Sequence, residues 1–161
     1  MRIITPPEPI GIRDTERSLF LAGSIDNGSV PNWQEEFINL AKATLKEKAN
    51  LKWVILNPRR KDWDPSWEQR MSNPKFYQQV DWELIGLDQC DDILFYFEKD
   101  SKSPITLLEF GLYAGNYRKS HVVCPDGFYR KGNVEILCHK KNIPMYENFQ
   151  DFIDELNNNI E

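Results

Sequence analysis

A chain of 161 residues, 40% hydrophobic and 28% charged, has the size and composition of one folded domain. A net charge of -5 with no long basic run argues against a nucleic-acid polymer as partner, and no apolar run approaches the ~20 residues of a membrane helix. Three cysteines without C-x-x-C spacing, and an opening segment with no apolar leader core, point to a reducing cytoplasm and no disulfide framework.

The first seventeen residues, Pro-rich and polar, read as an extended arm ahead of a single domain over 18–161. Ser18-Leu19-Phe20-Leu21-Ala22 reads as a strand ended by Gly23-Ser24. Pro31 to Glu47 reads as a helix, with Trp33, Phe37, Leu40, Ala41 and Leu45 on one stripe. Lys52 to Leu56 is a second strand, stopped by Asn57-Pro58. The polar segment Arg59 to Arg70, carrying Trp63 and Trp67, has the length of a functional lid. Phe76 to Gln89 reads as a helix with Tyr77, Val80, Leu84 and Leu87 inward, and Asp92 to Phe97 as a third strand. Ser103 and Pro104 suit the N-cap and first turn of a helix running to about Tyr117. His121 to Cys124 is a fourth strand, Gly132 opens another helix, Ile143 to Met145 is a short fifth strand, and Phe149, Phe152, Ile153 and Leu156 mark the last helix. Alternating strands and helices predict an α/β domain whose parallel sheet of about five strands is covered on both faces. Its ligand crevice would lie beyond the carboxyl ends of the strands.

Glu109 is the sharpest oddity. Ile105 to Ala114 is apolar nearly all round, which predicts a buried helix, and a carboxylate there is costly unless paired, hydrogen-bonded or protonated. The preceding helix offers Asp81 and Glu83 on opposite shoulders of its apolar stripe, and periodicity does not choose between them. Two carboxylates in one crevice suit cleavage of a glycosidic bond, one attacking the anomeric carbon while the other manages the leaving group's proton. Arg59, Arg60 and the Trp63/Trp67 pair could stack on a planar base. Competing chemistries lack their parts. There is no P-loop, no dinucleotide fingerprint and no G-x-S-x-G, and the two histidines, His121 and His139, supply neither a triad nor, with Cys138, the four ligands of zinc.

Taken together, Leu19-Phe20-Leu21-Ala22-Gly23-Ser24-Ile25, Leu56-Asn57-Pro58-Arg59-Arg60, Asp62 to Arg70, Val80-Asp81-Trp82-Glu83-Leu84, Ser103 to Glu109, and Gly132-Asn133-Val134-Glu135 resemble the nucleoside 2-deoxyribosyltransferase superfamily, specifically its compact bacterial and phage-type branch. Their order and spacing carry the resemblance over nearly everything after residue 17. It implies a flavodoxin-like or Rossmann-like three-layer sandwich, no cofactor and no metal. The substrate it implies is a nucleoside and nucleobase, or a 5′-monophosphate.

The resemblance also assigns roles. Glu109, followed by Phe110-Gly111-Leu112-Tyr113-Ala114, matches the family's nucleophile. The family's second acid stands eight residues before the Asp that opens the third strand, and counting back from Asp91 gives Glu83 rather than Asp81. Gly23, Ser24, Asn57, Arg59, Trp63 and Ser103 would bind substrate, and Asn133 matches a residue inserted into a neighbouring subunit's site, implying a homodimer or larger assembly. Two positions depart from the family. Phe20 replaces a Tyr that orients the nucleophile, and Ser103 replaces a sugar-binding Asp, as in relatives that hydrolyse deoxynucleoside monophosphates. The expected activity is transfer of 2-deoxyribose between bases in nucleoside salvage. N-glycosidic hydrolysis and a silent nucleotide-binding module are the alternatives.

Overall fold

The computed structural model describes residues 1–25, 31–115 and 119–159. Its strands are β1 (Arg2–Ile4), β2 (Glu16–Gly23), β3 (Lys52–Leu56), β4 (Asp92–Tyr96), β5 (Ser120–Val123) and β6 (Met145–Tyr146). They form one sheet in the order β1-β3-β2-β4-β5-β6, with every neighbouring pair parallel. The helices are α1 (Trp33–Thr44), α2 (Pro74–Gln89), α3 (Pro104–Tyr113), α4 (Lys131–Lys141) and α5 (Phe149–Asn158).

Six strands stand where about five were expected, and the addition is β1. Arg2, Ile3 and Ile4 pair with Val54, Ile55 and Leu56, covering the edge that β3 would otherwise leave open. The opening segment is therefore more than an arm. Beyond β1 it crosses α2, where the Trp82 indole N–H donates to the Glu8 carbonyl at 2.7 Å, and Ile10 and Ile12 pack on the core.

Leaving β1 aside, the sheet winds outward from β2 in both directions, the flavodoxin-like order. Strand alternation builds two cores. Phe20 and Ala22 face α2, α3 and α4, while Leu19 and Leu21 face α1 and α5. All four side chains are at most 1% exposed, each large one worth roughly 1.5–3 kcal/mol of burial. The winding reverses between β2 and β4, so a crevice opens beyond their carboxyl ends, on the side covered by α2 and α3. Among the described residues, no helix is long and apolar enough to cross a membrane.

Helices α2 and α3 depart from expectation. On α2, Tyr77 and Leu84 are 49% and 40% exposed, and the helix instead buries Gln79, Trp82, Gly86 and Leu87. The fit that decides this face is Phe20: its ring lies tilted against Trp82, and a side chain at Gly86 would strike it at 2.7 Å. Helix α3 is not buried all round, because Ile105, Leu108 and Leu112 are 59–69% exposed, leaving Thr106, Glu109 and Phe110 inward. Ser103 does precede α3, but its side chain makes no capping bond, and the backbone there is left-handed, with φ 47°. The helix ends at Tyr113, and Tyr117, its expected limit, lies outside the described residues.

Candidate active site

The crevice holds a cavity of about 820 Å³ walled by α2, α3, the end of β2 and the segment after β3. Six of the residues to which the resemblance assigns a catalytic or binding role meet there: Gly23, Ser24, Trp63, Glu83, Ser103 and Glu109.

Glu109 stands on the inward face of α3 and is 9% exposed. Burial pushes its carboxyl up to about 8, and the charge of Glu83 on α2 pushes the same way. Burial likewise lifts Glu83 to about 7, partly offset by a hydrogen bond from Gln79. Among the described residues neither carboxyl forms an ion pair, so Glu109 is not the partner of a neighbouring Arg. Two acids this close to neutrality can share a single proton, and the tautomer that carries it on Glu83 leaves Glu109 as the carboxylate able to attack, even though the proton favours Glu109. Asp81 is exposed on the outer side of α2 and does not line the cavity.

Three hydroxyls gather where β2 and β4 hand over to α3. Ser24 Oγ lies 2.6 Å from Ser101 Oγ and 2.7 Å from Ser103 Oγ, and the Ser103 amide donates to Ser101 Oγ. The left-handed backbone at Ser103 turns its hydroxyl toward this cluster instead of onto the helix end. The Ser24 carbonyl accepts from the Trp33 indole at 3.0 Å and from Gln34 at 3.3 Å, which fixes the turn. Gly23 is required for space: a Cβ there would lie 2.4 Å from Trp33 and 2.9 Å from the Tyr96 carbonyl.

Asn57 and Arg59 shape the rim without lining the cavity. Asn57 Oδ1 accepts from the Arg59 amide, a side-chain turn that redirects the chain after β3, and Arg59 reaches back to Gln34 at 3.4 Å. Its neighbour Arg60 lines the cavity instead, 8% exposed, bonded to Asp62 and Gln78 and stacked on Trp67 at 5.1 Å. Trp63 packs against Trp67 at 5.1 Å, so this segment is a braced wall. Asn133 is exposed at the start of α4 and does not line the cavity of its own chain.

Gln79 and Ser101 were not singled out in the sequence. Gln79 lies one helical turn before Glu83, a spacing that brings side chains together. Ser101 lies two residues before Ser103 in a loop, where no periodicity flags it.

A family model described as nucleoside 2-deoxyribosyltransferase like matches residues 16–128. The chain belongs to that family. Both acids and the three serines fall inside the matched stretch of this nucleoside 2-deoxyribosyltransferase-like chain, whereas Asn133 falls beyond it. No curated protein sequence matches. Among solved structures, the chain is similar to a "conserved protein from Enterococcus faecalis V583" at 8% identity, with a TM-score of 0.56 over 89% of this chain and 99% of that one. At that identity the likeness speaks for the fold.

Proposed function

We propose that this protein moves 2-deoxyribose between nucleobases through a covalent ester on Glu109. In the first half, a Glu109 carboxylate oxygen bonds to C1′ and the C1′–N bond breaks. Its electron pair stays on the base nitrogen, which takes the proton from Glu83. In the second half, a nitrogen of an incoming base attacks C1′, its proton passes to Glu83, and the C1′–O bond breaks to restore the Glu109 carboxylate. Trp63 offers an aromatic face for the base, and its braced segment keeps water from the ester. The reaction needs no cofactor. The observation that carries this reading is the meeting of two acids, the half-buried Glu83 and the buried Glu109, in one cavity with proton affinities raised toward neutrality.

The test is to incubate thymidine with adenine and look for deoxyadenosine by chromatography, with Glu109→Gln as the inactive control. Release of free 2-deoxyribose without a new nucleoside would replace transfer by hydrolysis. Ligand-induced thermal stabilisation without turnover would leave a silent binding module.

The serine cluster favours a second reading, hydrolysis of deoxynucleoside 5′-monophosphates. Ser24, Ser101 and Ser103 present hydroxyls beside the first turn of α3, where donors and the helix dipole suit a phosphate.

The exposed row Ile105, Leu108 and Leu112 runs from the mouth of the cavity along α3. We take it as the contact with a second copy, which would bring its own Asn133 to the site and form a homodimer or larger assembly.

A further inference from the structure

Gln79 ties the two walls of the cleft together through one amide group. It is 4% exposed on α2, and its Nε2 lies 2.9 Å from the Pro58 carbonyl and 2.8 Å from Glu83 Oε1. A carbonyl and a carboxylate both accept, so the amide must turn its NH2 toward them. The other end bears the consequence: Gln79 Oε1 is buried without a hydrogen-bond partner among the described residues. A buried, unpaired acceptor is unfavourable, and it persists here because both amide protons are committed on the opposite side. Pro58 begins the connection that carries Arg60 and Trp63, so this one side chain links that wall, α2 and the carboxyl of Glu83.

We propose that Gln79 is the positioning residue of Glu83, holding its carboxyl toward the segment after β3 and favouring its ionised form. The proposal rests on the reading of Glu83 as proton donor to the departing base. A donor fixed on a carboxylate makes the parent acid give up its proton more readily. A neutral Glu83 turning its O–H toward the amide would meet an N–H. The other charged groups around the cleft do not supply this help. Glu109 on α3 carries the same sign, Arg60 is committed to Asp62 and Gln78, and Asp81 points away on the exposed side of α2. Gln79 thus eases release of the proton in the first half-reaction and steadies the anion until the second.

The test uses Gln79→Met, close in shape and lacking the donor. In the Glu109→Gln background, which isolates one carboxyl, the Glu83 side chain is titrated by carbon-13 NMR with and without Gln79→Met. The midpoint should rise by roughly one pH unit. Gln79→Glu, which sets a carboxyl beside Glu83, should raise it further and serves if the Met variant does not fold. With Glu109 intact, Gln79→Met should move the pH–rate profile to higher pH and lower kcat roughly tenfold, with KM within about twofold. Unchanged midpoints in the folded variants overturn the proposal whatever the activity. Shifted midpoints in a protein that turns over no nucleoside or nucleotide uphold the clamp and remove the enzymatic reading instead.

Discussion

Ionising Glu83 raises the proton affinity of Glu109 across the gap between α2 and α3. Below about 7 both acids hold protons and no carboxylate is present to attack; above about 8 both are ionised and none can protonate the base. Initial rates should trace a bell with its maximum between these values. A rate that climbs to a plateau at high pH would contradict the shared proton. Stability follows the same groups. Both folded values lie above the ~4.3 of a free Glu, so their favourable contribution is complete below that and is lost as pH rises through about 7 to 8. Glu109→Gln should therefore raise Tm by about 2–4 °C at pH ~9 and change it little at pH ~4, as scanning calorimetry would show.

Replacing Glu83 by Gln removes the group proposed to protonate the base and keeps the shape. Turnover of ordinary deoxynucleosides should drop by about 10²–10⁴. A substrate whose base departs as a stable anion should lose far less. Equal losses on both substrates would take the proton-donor role away from Glu83.

Gly23→Ala inserts a methyl into the side of Trp33, whose indole is already anchored on Ser24. The crowding should cost about 1–3 kcal/mol in urea unfolding. A variant as stable as the parent would mean that Trp33 can swing aside.

Ser24→Ala deletes the hydroxyl that links Ser101 and Ser103. If the cluster holds a phosphate, KM for deoxynucleoside monophosphates should rise about tenfold while KM for the nucleosides stays put. Equal KM changes for both substrate types would assign the cluster to the sugar or to the fold.

Leu108→Arg puts a charge in the middle of the exposed row on α3. If that row is the contact with a second copy, sedimentation should show single chains, and activity should go with it because each site would lose the neighbour's Asn133. Unchanged sedimentation and activity would place the contact elsewhere.

Much of the layout was legible because period-2 and period-3.6 patterns alternate cleanly from Ser18 onward, and Glu109 stood out because an acid in an oily helix demands a reason. The failures share a cause: periodicity reports an element's own pattern and not what lies opposite it. It missed β1, three residues long and followed by Pro6-Pro7, because the decisive partner is the edge of β3. It turned α2 toward Tyr77 and Leu84 because the ring of Phe20 and the gap at Gly86 are visible only in three dimensions. Arg59 and Arg60 are neighbours in an irregular segment, where nothing in the sequence tells which one turns inward.

The bond from Trp82 to the Glu8 carbonyl spans 74 positions and ends one residue short of Glu83. The leading peptide is in this sense a remote brace for the part of α2 that carries Glu83. Because the same peptide carries β1, a protease cut ahead of Ile10 would loosen the edge of β3 and the seat of Glu83 together, and a lowered melting temperature alongside lost activity would be its signature.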